Sequence, residues 1–345
     1  MKPACPYGTH RVIEPLGVLP QPAWRLDNTM TVRDNEILID VQALNVDAAS
    51  FTQIKQAAQG DVDRIAATLV DIVARRGKLH NPVTGSGGML IGRVAELGAG
   101  LAGKRDLTVG DKIATMVSLS LTPLRIDRIH RVHLLKDQVE IDGQAILFES
   151  GLYAKLPNDI PEPVALAILD VAGAPAQTAR LVQPGDTVVV VGGGGKSGTL
   201  CVYEARKRAG PHGCVIGLSP FEQDCQRMRE LGWVDHALQV DATDAVATMQ
   251  AVAQATQGRL ADVVINCVNL PNTEMGSILS TRDRGRLYFF SMATSFTAAS
   301  LGAEGVGKDV DMLMGNGYAK GNADYALSLL RESPALRRLF ETLYV

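Results

Sequence analysis

No Cys-x-x-C pair, and no cysteine set at metal-ligand spacing from a histidine, occurs anywhere in the chain. The five cysteines, Cys5, Cys201, Cys214, Cys225 and Cys267, are scattered and odd in number, so they read as reduced thiols filling small apolar sites. Long apolar runs are missing as well. None approaches the roughly 20 residues that span a bilayer, and Met1-Lys2-Pro3-Ala4-Cys5-Pro6 has no signal-peptide core. The expectation is a cytoplasmic protein with no membrane partner. Positive charge is not in excess either: 34 Lys and Arg against 37 Asp and Glu leave a formal net charge of −3, so a nucleic-acid partner has no support. There is no internal repeat and no low-complexity tract.

What is present is an ordinary globular composition, 46% hydrophobic and 21% charged over 345 residues, long enough for two domains with proper cores. The stretch that organises it is Thr187-Val188-Val189-Val190-Val191 followed by Gly192-Gly193-Gly194-Gly195-Lys196-Ser197-Gly198. Four consecutive valines imply a central parallel strand buried on both faces. A helix follows from Thr199, ending in the basic Arg206-Lys207-Arg208. Gly193, Gly195 and Gly198 have the G-x-G-x-x-G spacing that lets a backbone approach a pyrophosphate. By itself such spacing is also compatible with a mere tight turn, but the strand before and the helix after favour the dinucleotide reading. A Walker A loop is disfavoured, because Val190 stands where that loop needs glycine.

Along the chain, residues 1–35 read as an extended arm with short strands, and Glu36 to Val46 alternates as a half-buried strand. Asp61 to Arg76 is an amphipathic helix closed by Gly77. Met89 to Leu97 and Asp111 to Leu121 read as strands of a small irregular β domain. Ile160-Pro161-Glu162-Pro163 marks a boundary, and Val164 to Val182 is helical with a break near Pro175. Beyond the glycine loop, strands alternate with helices, the pattern of a doubly wound parallel sheet.

A β-rich first part, a connecting helix, Val109-Gly110-Asp111-Lys112 as a Gly-Asp turn and Gly193 to Gly198 as a cofactor loop together resemble the medium-chain dehydrogenase/reductase superfamily. The resemblance implies an α/β fold: a Rossmann-type doubly wound parallel sheet over residues 159–317 and an irregular, GroES-like β-rich catalytic domain over 1–158 and 318–345. The segments Gly8 to Pro15, Gly17 to Trp24 and Asn316-Gly317-Tyr318 narrow it to a branch that oxidatively deaminates a small diamino acid. It also implies a homodimer through the sheet edge at Val310 to Met314.

Departures from the superfamily's zinc members shape the expected chemistry. Asp47 stands at their first cysteine ligand, Gly87-Gly88-Met89 at the Gly-His-Glu turn, and Asp170 at the third ligand. Carboxylates without a nitrogen or sulfur partner make a poor zinc site, so no metal is expected. With the dication gone, Asp47 and Asp170 would leave an anionic pocket suited to an ammonium substrate. Either is a candidate base or ammonium ligand, with Ser50 and Glu149 as further catalytic candidates; each aspartate is alternatively a plain helix cap. His10 and Arg11 are candidates for the substrate carboxylate, or else members of a solvated arm. Tyr318 and Lys320 are further substrate-binding candidates. Gly193, Gly194, Gly195, Lys196, Ser197, Gly198 and Ser219 form the candidate cofactor site. Neutral Ser219, where NAD-selective folds carry an acid, leans toward NADP with tolerance of NAD. The rivals are a quinone or enoyl reductase and a non-catalytic dinucleotide sensor.

Overall fold

In the computed structural model, all residues are described except 1–3, 135, 292 and 316. The chain divides into two units, Met1–Asp159 and Ile160–Val345.

The first unit is built on β3 (Glu36–Asn45), which follows the short hairpin of β1 (Val12–Glu14) and β2 (Arg25–Leu26). Then come α1 (Ala48–Ala57), α2 (Val62–Arg76), β4 (Met89–Leu97), β5 (Lys112–Thr115), β6 (Leu124–His133), β7 (Gln138–Phe148) and β8 (Tyr153–Lys155). The six strands run antiparallel in the order β6-β7-β3-β4-β5-β8, with β3 flanked on both sides. Its Ile37, Ile39, Val41 and Leu44 join Phe51 and Ile54 of α1 and Ile65, Leu69 and Val73 of α2 in one core. The periodicity expected of α2 is thereby used. Its ends are set locally: Asp61 accepts from the N–H groups of Asp63 and Arg64, and Gly77 ends the helix at φ 67. The strand expected over Asp111 to Leu121 stops at Thr115, because Ser118 caps a 3₁₀ turn through its own hydroxyl.

The second unit opens with α3 (Glu162–Leu169) and α4 (Gly173–Leu181). The helical break falls at residues 170–172. Pro175 lies inside the first turn of α4, where a missing N–H costs little. The glycine loop joins β9 (Thr187–Val191) to α5 (Lys196–Ala209), and β10 (Cys214–Ser219), α6 (Glu222–Leu231), β11 (His236–Gln239) and α7 (Ala245–Ala255) follow. The chain continues with β12 (Ala261–Asn266), α8 (Glu274–Ser280), β13 (Thr281–Phe289), α9 (Phe296–Gly305), β14 (Val310–Met314), α10 (Asn322–Glu332) and α11 (Pro334–Tyr344). All six strands are parallel in the order β11-β10-β9-β12-β13-β14, so the winding reverses beside β9, where a doubly wound sheet opens its ligand crevice. Val188 to Val191 are buried on both faces. The tail 318–345, expected with the β-rich domain, groups with this second unit, because α10 packs on α3 and α4, and α11 on α3.

Candidate active-site residues and dinucleotide loop

The glycine loop of the second unit is shaped for an anion. A Cβ on Gly198 would lie 1.9 Å from the Gly192 carbonyl oxygen, so only glycine lets α5 start so close to the strand. No side chain caps Gly195, which leaves the N-terminus of a 14-residue helix to present its N–H groups and positive dipole end outward. The N–H groups of Gly192 and Gly193 both donate to the Leu218 carbonyl at 2.9 Å, tying the loop to the end of β10. These features fit a dinucleotide pyrophosphate. Ser197 is buried in the first turn of α5, and Ser219, buried at the end of β10, donates its hydroxyl to Asp224 at 2.7 Å.

Asp170 and Lys196 do not stay open. The Lys196 ammonium donates to the Asp170 carboxylate at 2.5 Å, so the carboxylate expected to wait for a substrate ammonium already neutralises the lysine at the head of α5. The expectation of an open anionic residue at 170 is corrected on that ground. Tyr318 and Lys320 are exposed in the turn between β14 and α10, and this turn touches the start of α4: a Cβ on Gly173 would meet the Gly317 carbonyl at 2.3 Å. Asn316 lies outside the described residues.

In the first unit, the two ends of β3 carry different side chains. At its C-terminal end Asp47 leads into α1 and accepts from the Ser50 N–H at 3.3 Å, and its carbonyl accepts from Phe51 N–H at 2.8 Å. Ser50 is buried, and its hydroxyl shares a 2.5 Å hydrogen bond with Thr84. The turn bearing Thr84 is held by Asn81, whose amide group donates to Gln53 at 2.9 Å while its oxygen accepts from Val83 N–H at 2.8 Å. Beside it, burial and then the charges of Lys78 and Arg76 push His80 down to about 4, so the ring is neutral at physiological pH. Its Nδ1 is buried with no hydrogen-bond partner. Asp137 joins the same end: its carbonyl accepts from Val46 N–H, burial raises its carboxyl, Lys55 pulls it back and the Asp47 charge raises it further. No motif announces Thr84, His80 or Asp137; the one sequence signal is His-Asn-Pro-Val-Thr-Gly directly after an amphipathic helix.

The other end of β3 holds Glu36 in a closed cluster. Arg11 is buried and donates to both Glu36 oxygens at 2.8 and 2.6 Å and to the carbonyls of Thr29 and Thr31 at 2.5 and 2.7 Å. The His10 ring bonds Glu36 at 2.8 Å and meets Phe148 edge-on. Glu149 accepts from Asn35 at 3.3 Å at this same end, since Glu36 pairs with Phe148 across the sheet. A ten-residue strand spans roughly 30 Å, so His10, Arg11 and Glu149 stand far from Asp47. Their expected roles toward substrate give way to a structural one: Arg11 has its guanidinium fully engaged inside the unit.

Zinc does not suit the Asp47 end. Gly88, at the position of the superfamily's histidine, has φ +97, and a Cβ there would lie 2.0 Å from the Asn45 carbonyl oxygen and 2.7 Å from the Asp47 nitrogen. An imidazole has no room to enter. Among the described residues no three His, Cys, Asp or Glu side chains gather as a metal site.

Comparison with known proteins follows the same lines. The family description L-erythro-3,5-diaminohexanoate dehydrogenase N-terminal domain matches residues 10–157. A curated relative named L-erythro-3,5-diaminohexanoate dehydrogenase, from Acetoanaerobium sticklandii, is 59% identical over 341 residues, 99% of each chain. Its namesake from Fusobacterium nucleatum subsp. nucleatum is 56% identical over 345 residues, 100% of each chain. Among solved structures, mycobacterial Rv1454c complexed with NADPH superposes at TM-score 0.55 and 18% identity, over 89% of this chain and 83% of that one, a likeness of fold.

Proposed function

The chain belongs to the L-erythro-3,5-diaminohexanoate dehydrogenase family, and from that membership we propose how its own residues serve the reaction. It is an NAD(P)-dependent dehydrogenase that removes the 3-amino group of L-erythro-3,5-diaminohexanoate as ammonia and leaves 5-amino-3-oxohexanoate. The observation that carries the dehydrogenase reading is the uncapped α5 N-terminus behind a glycine loop that no Cβ can enter at Gly198. The glycine loop and the α5 N-terminus would hold the dinucleotide, which when bound would supply the hydride acceptor.

The remaining steps are proton transfers and a hydrolysis. The substrate ammonium must lose a proton before its C–H bond can release a hydride, and water must then add to the resulting imine to expel ammonia. We assign Asp47 to the first task, as base or ammonium ligand, with Asp137 adding negative charge to the same end of β3. A carboxylate attracts an ammonium group, and a diamino acid brings two. We assign Ser50, whose N–H donates to Asp47 and whose hydroxyl bonds Thr84, a supporting role in that proton transfer. Lys196, neutralised by Asp170, stands at the pyrophosphate end of α5. Tyr318 and Lys320 are kept as contacts for the substrate carboxylate.

The reaction is proposed to run without a metal, supported by the backbone at Gly88, which admits no histidine side chain at that position. The chain is placed in the cytoplasm on the strength of its free cysteines. The exposed Leu313 and Met314 on edge strand β14 support pairing with a second copy, without a nucleic acid or membrane partner. The functional test is absorbance at the reduced-nicotinamide band with 3,5-diaminohexanoate and each dinucleotide, with ammonia measured in parallel. One ammonia per reduced nicotinamide, undiminished after dialysis against a chelator, is expected. Turnover that needs added zinc would remove the metal-free claim, and reduction of a quinone or enoyl substrate without ammonia release would remove the deamination.

A further inference from the structure

We propose that Cys201 and Cys267 are a peroxide-reactive thiol pair in the wall of the glycine-loop crevice, closing to a disulfide when no dinucleotide covers them. The covering rests on the dinucleotide reading of the loop; the pairing of the sulfurs does not. The two cysteines are 66 positions apart in sequence and meet only through the fold. Cys201 is fully buried in the second turn of α5, and Cys267, the first residue after β12, is half-buried. The Cys267 thiol donates to the Cys201 sulfur at 3.8 Å. A disulfide needs about 2.05 Å, so the sulfurs must approach, and rotation of the partly open Cys267 side chain is the movement at hand.

Their place in the sheet turns one thiol toward the crevice. The Cys267 N–H donates to the Val191 carbonyl at the end of β9 at 2.9 Å. A Cβ on Gly192 would lie 3.5 Å from the Cys267 carbonyl carbon and 2.9 Å from Val268 Cγ2. Cys267 therefore stands at the carboxyl ends of the parallel strands, where the winding reverses and such folds hold their ligand. Behind it lies the apolar core that Cys201 and Tyr288 share with Val190, Val202 and Ile265. The Tyr288 hydroxyl is buried there without a hydrogen-bond partner, and burial, then Cys201 and Cys267, push its ionisation up. A buried polar group left unpaired calls for a reason; an oxygen added to the Cys267 sulfur would give this hydroxyl an acceptor.

The chemistry divides by exposure. Cys267, the accessible thiol, gives an electron pair to one oxygen of hydrogen peroxide: an S–O bond forms, the O–O bond breaks, and a sulfenic acid and water result. Burial, then the neighbouring Cys267, push the Cys201 thiol up against the help of Thr178, so Cys201 does not meet the oxidant first. Its sulfur then attacks the sulfenic sulfur. The S–S bond forms, the S–O bond breaks, and the departing hydroxide takes the Cys201 proton away as a second water. Two electrons leave the two thiols and reduce one peroxide.

Peptide mass mapping without reductant, after treatment of the full chain with hydrogen peroxide, tests the pairing. Wild type is expected to yield two peptides linked through Cys201 and Cys267, lighter by two hydrogens and separated by dithiothreitol. Cys201→Ala should stop at a Cys267 sulfenic acid trapped by dimedone, and Cys267→Ser should give neither product; the wild-type map decides alone should the variants not fold. The oxidised dinucleotide that calorimetry shows to bind more tightly, at about ten times its dissociation constant, should slow the linkage about tenfold. Absence of the linked peptides from wild type, whichever other thiols are oxidised, would overturn the pair. Linkage equally fast with the dinucleotide bound would overturn the covering and leave the dinucleotide reading intact. Failure to bind either dinucleotide would overturn that reading and the covering with it, while the linked peptides would still establish the pair.

Discussion

The two ends of β3 are separated by ten residues of one strand and do opposite work. At the Glu36 end the charges are answered: Arg11 and His10 bond the buried carboxylate, and the carbonyls of Thr29 and Thr31 accept from the same Arg11 guanidinium. The Asp47 end is arranged differently. Two carboxylates, Asp47 and Asp137, influence one another, a neutral His80 keeps a buried nitrogen without a partner, and Ser50 and Thr84 share one hydrogen bond. Full satisfaction rigidifies; incomplete satisfaction leaves acid–base capacity for a ligand. A strand that runs through the centre of its sheet anchors the arm at one end, and the proposal puts the chemistry at the other.

The comparison breaks most visibly at Glu36. Glu36→Ala leaves the buried Arg11 guanidinium with only the longer 3.5 Å pair to Asp27 and should cost about 3–5 kcal/mol, read by urea unfolding, while turnover per folded molecule stays near wild type. A destabilisation below about 1 kcal/mol, the scale of a surface pair, would mean that the cluster is not an anchor.

The same anchor gives a pH signature. Burial works to raise the Glu36 carboxyl, but the hydrogen bonds from Arg11 and His10 and the Arg11 charge outweigh it and hold it at about 2. With the folded value depressed, the carboxylate's contribution is complete above the unfolded value near 4.5 and is lost as pH falls through 2. Unfolding free energy should fall by a few kcal/mol across that window, and Glu36→Gln should flatten much of the slope. An equally steep slope in the variant would assign the acid sensitivity elsewhere.

At the opposite end the expected effects move to catalysis. Ser50→Ala should lower kcat by roughly tenfold, the value of one hydrogen bond, and leave the melting temperature within a few degrees. A large loss of stability with unchanged kcat would make the Ser50–Thr84 bond structural.

Much of this was legible from residues next to one another in sequence. The four valines and the loop after them announce the parallel sheet, and Asp61 and Gly77 mark both ends of α2, because strand burial and helix caps are local. The pairings that decide roles were not, since each joins distant residues. Arg11 meets Glu36 across 25 positions, Lys196 meets Asp170 across 26, and α10 returns to α3 and α4 over the whole second unit. An exposed arm and an arginine clamp read alike until the fold brings the carboxylate up. The extra glycine at 194 is a middle case: visible in the sequence, but without meaning until α6 places Asp224 beside it.

The most direct test of the account is single-turnover reduction of NAD by L-erythro-3,5-diaminohexanoate in Asp47→Asn, with NADH affinity and unfolding measured on the same sample. The expected result is a hydride-transfer rate lowered by about a hundredfold or more, the reach of a positioned base, with affinity and stability unchanged. A rate near wild type at saturating substrate would contradict it and move the reactive end of the first unit away from Asp47.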